Sequence, residues 1–152
     1  MRLAFSIIAV RTRGRVSQRT KKARVQRWPQ VPSDRMKRAA QLRIGEKIDG
    51  RDRILSFEGS ADILSMPAVQ ELLSRYSKED IRLLVIDLSG TDFINSPVWA
   101  VITLYARKRR NEARVAIVGM SQRIKGSFEM MGLQKELQTF ADVETARRAL
   151  LE

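Results

Sequence analysis

Leu83-Leu84-Val85-Ile86-Asp87-Leu88 holds five apolar residues and one acid in six positions. Successive strand residues point to opposite faces, so a run apolar at both parities is covered on both sides. Such a strand belongs in the middle of a sheet with helices packed on it. The residues on either side must then supply those helices.

Downstream, Ser89-Gly90-Thr91 reads as a turn. Ser96-Pro97 then opens a helix that runs to about Glu112, with Ser96 as N-cap and Pro97 at the first helical position. Val98, Trp99, Val101, Ile102, Leu104 and Tyr105 give it a broad apolar face. Arg107-Lys108-Arg109-Arg110 closes it, where the macrodipole favours cations, and reads as a solvated cap. Val115-Ala116-Ile117-Val118-Gly119 is a second buried strand. Ser121 caps a helix carrying Ile124, Phe128 and Met131, and Gly132 sits at its C-terminal end. Leu137 to Phe140 is a short strand, and Asp142 caps a last helix with Val143, Ala146, Ala149 and Leu150.

Upstream, Leu42, Ile44 and Ile48 fall at even spacing, as in a half-buried strand. Asp49-Gly50 is a tight-turn signal, and residues 52–58 form the return strand with Leu55 and Phe57 on one face. Ser65 reads as an N-cap, with Pro67 in the first turn of a helix bearing Met66, Val69, Leu72, Leu73 and Tyr76. The order is β-β-α-β-α-β-α-β-α. It predicts an α/β domain with a mixed, mostly parallel sheet, entered by an antiparallel hairpin.

The chain has 152 residues and a net charge of +12. Residues 1–42 hold 12 basic residues and one acid, Asp34, whereas residues 43–152 hold 17 basic and 16 acidic ones. The positive charge therefore belongs to the leading segment, and a nucleic-acid role is disfavoured except through that basic tail. Residues 1–40 read as a basic N-terminal extension, either disordered or an artefact of a start placed upstream of Met36. Residues 41–152 form the domain. No apolar run approaches the ~20 residues that span a bilayer.

No Cys and no His occur anywhere. That excludes disulfides, thiolate nucleophiles, Cys/His zinc sites and Ser-His-Asp triads. Neither phosphate-cradling glycine motif is present. The expectation is a protein that is not an enzyme and carries no cofactor or metal, in a reducing compartment such as the cytoplasm. Asp62, Asp87 and Asp92 could meet at one sheet edge, but Asp87 reads more simply as hydrogen-bonding the Ser89-Gly90-Thr91 turn. Ser96 is singled out because a helix N-terminus both takes a capping serine and tolerates a phosphoryl group. Trp99, near the start of that helix, is a candidate interface residue.

Asp87-Leu88-Ser89-Gly90-Thr91-Asp92-Phe93-Ile94-Asn95-Ser96 resembles the signature of STAS domains, the fold of bacterial anti-sigma-factor antagonists. Gly59-Ser60-Ala61-Asp62, Phe128 to Leu133 and the Ala-rich last helix follow the same family pattern. The resemblance implies that Ser96 is a phosphoacceptor for a partner that is both anti-sigma factor and serine kinase. It places Asp62, Asn95, Pro97, Val98 and Trp99 at the partner- or nucleotide-binding surface around it. The resemblance also admits a STAS scaffold that is never phosphorylated, as in stressosome-like assemblies or lipid-transport ATPases. Three positions depart from the pattern. Asn95 stands for the usual Asp and should still cap the helix, Pro97 replaces a small residue, and Val98 replaces Gly, adding bulk where a kinase would approach.

Overall fold

A computed structural model describes residues 42–152. The basic extension and the question of Met36 lie outside the described residues. Five strands form one sheet in sequential order: β1 (Arg43–Asp49), β2 (Asp52–Ala61), β3 (Leu83–Ile94), β4 (Arg114–Val118) and β5 (Gln138–Phe140). β1 and β2 are antiparallel, and every later pairing is parallel. Gly50, at φ 59°, makes the tight turn between β1 and β2.

The crossovers are α1 (Met66–Tyr76), α2 (Ser96–Lys108) and α3 (Gln122–Met130), and α4 (Val143–Leu151) ends the chain. Strands laid down in order with crossovers of one hand put the connecting helices on one face. The packing agrees. Leu55, Phe57, Leu84, Ile86 and Leu88 meet Val69, Leu73, Ile102, Ile124 and Phe128 in the larger core. The alternate residues Ile54, Leu83, Val85, Ala116 and Val118 meet Ala146, Val143 and Leu150 of α4 on the other face. The apolar run of β3 is thus covered from both sides, and Leu83 through Ile86 are fully buried.

Several boundaries differ from the sequence reading, each for a physical reason. Ser89-Gly90-Thr91 is no turn. β3 runs on to Ile94 and absorbs its extra residues as irregularities against β2, between Ser56 and Glu58 and between Gly59 and Ser60. Asp87 Oδ1 accepts from the Ser89 backbone N–H at 2.9 Å and from its hydroxyl at 2.5 Å. The Thr91 hydroxyl donates to the Phe57 carbonyl at 2.9 Å. These bonds satisfy the polar groups that the irregular stretch frees from the ladder.

α2 stops at Lys108, short of Glu112. Arg109 is its C-cap residue, and its guanidinium donates to the carbonyls of Ser77 and Glu79 at 3.0 and 2.9 Å. The basic run is therefore not a purely solvated cap: Arg109 ties α2 to the loop after α1. Ile48, read as part of a half-buried face, is 63% exposed and belongs to neither core cluster, whereas Ile44 on the same face packs against the larger one. A 3-10 turn, Leu133–Lys135, precedes β5 and was not anticipated.

Candidate functional site

The loops at the C-terminal ends of β2 and β3 build the candidate site. Ala61 and Ile94 are partners across the two strands, and the Asn95 N–H donates to the Ala61 carbonyl at 2.8 Å. Asp62 and Asn95-Ser96 therefore leave the sheet side by side. Asp62 Oδ1 accepts from the backbone N–H groups of Leu64 at 2.9 Å and Ser65 at 3.2 Å, and the Ser65 hydroxyl approaches it at 3.3 Å. This folds residues 62–65 into a carboxylate-centred turn. Ser65 was expected to cap α1 with its own side chain and does not. Its buried hydroxyl points back to Asp62 and to the Ser60 carbonyl.

The head of α2 is displaced by one residue from the sequence reading. The N-cap is Asn95, in extended conformation (φ −75°, ψ 148°), and Ser96 is the first helical residue with Pro97 second. Asn95 occupies the cap position without a capping bond. The reason is local. A cap side chain accepts from the second or third helical N–H. Pro97 has no N–H, and the Val98 N–H is taken by the Asn95 carbonyl at 3.0 Å. Among the described residues, no acceptor meets the Ser96 N–H. The Ser96 side chain is exposed, and its hydroxyl makes only a long contact of 3.5 Å to Asn95 Oδ1.

Val98 and Trp99 correct the sequence reading. Val98 is fully buried and Trp99 is 1% exposed, so neither side chain reaches the surface around Ser96. Val98 places its bulk in the core, where it obstructs no approaching partner. Trp99 packs edge-on against Phe128 of α3, with ring centroids 5.3 Å apart and planes at 62°. Asp62, Asn95 and Pro97 stay at the surface, each partly exposed.

What the sequence reading missed is the apolar rim. Ile63 is 51% exposed, Leu64 71% and Phe93 44%. Ile63 and Leu64 stand on the loop after β2, and Phe93 stands near the end of β3, just before Ser96 in the chain. The available signal was the pair Ile63-Leu64, which falls between Asp62 and Ser65 and out of phase with the helical repeat of α1. Asp62, Asp87 and Asp92 do not form a metal-holding cluster: no group of three such residues that could hold a metal ion occurs among the described residues. Asp87 spends its carboxylate on Ser89 instead.

Among the described residues, a five-stranded mixed sheet with three helices on one face, one on the other and a serine presented at the head of the second helix defines an α/β module. Among the described residues, no helix is long and apolar enough to cross a bilayer. The sequence matches the STAS domain family over residues 43–146, and the chain belongs to that family. It is 24% identical over 93 residues to the anti-sigma-F factor antagonist RsfB of Mycobacterium tuberculosis, covering 61% of this chain and 76% of that protein. The crystal structure of an anti-sigma factor antagonist from Mycobacterium paratuberculosis superposes with a TM-score of 0.68. It shares 19% identity and covers 74% of this chain and 96% of its own. The Bacillus cell fate determinant SpoIIAA in its phosphorylated form superposes with a TM-score of 0.55 at 11% identity, covering 72% of this chain and 99% of its own.

Proposed function

We propose that the chain is a cytoplasmic regulatory module, an anti-sigma-factor antagonist without catalytic activity of its own. In this reading it docks an anti-sigma factor that is also a serine kinase, and phosphorylation of Ser96 releases it. The observation that carries the reading is the exposure of Ser96 on the first turn of α2, next to the paired strand ends that lead into Asp62 and the exposed apolar residues Ile63, Leu64 and Phe93. The sequence likeness to RsfB supports it.

The energetics support a switch. The apolar rim is dehydrated when a partner docks, which favours the complex. A phosphoryl group on Ser96 adds about −1.5 to −2 charge in the middle of that contact. An unpaired charge buried at an interface costs ~3–5 kcal/mol. At ~1.4 kcal/mol per decade, affinity falls a hundredfold or more. The helix dipole returns at most ~2 kcal/mol, and only the part that differs between free and bound states counts. Pro97 limits that return further, because it leaves the Ser96 N–H as the donor nearest the phosphate.

The same shortage of donors favours a second reading, in which the domain is a STAS scaffold or a small transport-ATPase subunit that is never phosphorylated. Binding of native, Ser96→Ala and Ser96→Glu chains to the anti-sigma factors of the host separates the two. The switch expects native and Ser96→Ala chains to bind alike and Ser96→Glu to lose at least about a hundredfold. Equal binding by all three would discard the switch and leave the scaffold.

A further inference from the structure

β1 is an edge strand, and among the described residues nothing pairs with its outer side. A two-residue loop, Gly50-Arg51, closes the hairpin on the Asp49–Asp52 pair. Such a loop closes on a hydrogen-bonded pair, so Arg43, Gly45, Lys47 and Asp49 turn their backbone groups toward β2. Ile44, Glu46 and Ile48 turn theirs outward. The same three side chains share the face that carries α1, where Glu46 accepts from Tyr76 and Arg75.

We propose that this edge pairs with the same edge of a second copy, antiparallel, about a two-fold axis at Glu46. In that register Ile44 opposes Ile48 of the other copy, and Gly45 opposes Lys47. Arg43 opposes Asp49, and the symmetry repeats each pair. The parity is right. Ile44, Glu46 and Ile48, whose backbone groups point outward, meet one another, so each pair exchanges both backbone hydrogen bonds. The end charges are of opposite sign, because Arg43 meets Asp49 twice, although Asp49 already accepts from Arg147 at 2.7 Å and Arg43 lies 3.9 Å from Glu58 within the same chain. Registers centred on Ile44 or Ile48 keep the parity but shorten the paired length.

Side-chain packing points to the same occupant. Ile48 is 63% exposed. Ile44 lines a groove of about 590 Å³ with Ala68, Leu72, Glu71 and Arg75, between β1 and α1. The register sets Ile48 of the other copy beside Ile44 on the α1 face, at the mouth of that groove. The two Glu46 carboxylates meet at the axis already neutralised, each held by its own Arg75 at 2.9 Å and Tyr76 at 2.5 Å.

The chain contains no cysteine, so one introduced cysteine reports one register. Glu46→Cys sets its two copies ~5.5 Å apart between Cα atoms, within disulfide range, and mild oxidation is expected to give a covalent dimer. Lys47→Cys opposes Gly45 rather than itself, which puts its two copies beyond the ~7 Å limit, and it should stay uncrosslinked. In sedimentation, the native full chain is expected to rise with concentration from 17.4 kDa toward twice that mass. Ile48→Asp, at an exposed position, should stay monomeric and melt as the native chain does at the lowest concentration, where that chain is monomeric too. A native chain that is monomeric at every concentration would overturn the proposal. So would an Ile48→Asp chain that still dimerises, or Lys47→Cys crosslinking as readily as Glu46→Cys.

Discussion

At the head of α2, Pro97 removes the backbone donor that the Asn95 carboxamide would otherwise reach. Asn95→Ala is therefore expected to change stability by under ~0.5 kcal/mol in the native chain and to cost ~1 kcal/mol in a Pro97→Ala background. A double-mutant cycle by urea denaturation reads the difference directly. Gly119 makes a second residue-scale case. Its φ is +71°, and an added Cβ would lie 2.8 Å from Asp87 Oδ1 and 3.0 Å from the Ser89 N. Gly119→Ala combines left-handed strain of ~1–2 kcal/mol with displacement of the Asp87–Ser89 bonds, so a loss of at least ~2 kcal/mol is expected on chemical denaturation. The sequence showed Asp87 bonding nearby. It gave no sign that Gly119, far along the chain, closes against the same group, because β4 reaches β3 only through the tertiary fold.

The helices show where element-scale reading succeeds. Ser121 Oγ accepts from the Ile124 N–H at 3.2 Å, and Asp142 Oδ1 accepts from the Thr145 N–H at 2.7 Å. Both caps were legible because a cap bond closes within three residues of sequence. Ser121→Ala and Asp142→Ala should each cost ~1 kcal/mol, measured as shifts in the denaturation midpoint at unchanged slope. Ser65 and Ser96 look alike in sequence and do not cap, because the Asp62 turn redirects one and the strand-to-helix join shifts the other by a residue. Trp99 failed as a surface candidate for a related reason. Helical periodicity marks an apolar face, and only packing against Phe128 shows that this Trp lies on it. Trp99→Ala is expected to cost ~3–5 kcal/mol. Trp99→Phe should cost much less than that, since the Trp99 Nε1 is buried with no acceptor among the described residues.

For the whole molecule, the absence of histidine leaves no unperturbed side chain to titrate between pH 5 and 8. The Tyr76 hydroxyl holds the Glu46 carboxyl below its usual value, and Arg147 and Arg107 do the same for Asp49 and Glu136. Carboxylates lowered in this way favour the folded state above their unfolded values near ~4, and the contribution is lost as pH falls through the lower folded values. Burial raises the hydroxyls of Tyr76 and Tyr105, whose contribution is present below ~10 and lost as pH rises through the folded values. The melting temperature should therefore be flat from about pH 5 to 9 and fall on both sides, as calorimetry across that range would show. The element order and the two-sided burial of β3 were legible because they follow from apolar periodicity, whereas the strand order β1-β2-β3-β4-β5 was not read from the sequence. The rim of Ile63, Leu64 and Phe93 was not, since exposure is a property of the assembled surface. The regulatory account rests on Ser96. Its most direct test is phosphosite mapping by mass spectrometry of the full chain after incubation with ATP and the anti-sigma kinases of its host. The account predicts one added phosphoryl group, at Ser96, absent from Ser96→Ala. An unmodified chain, or a phosphoryl group at another residue with Ser96 untouched, would contradict it.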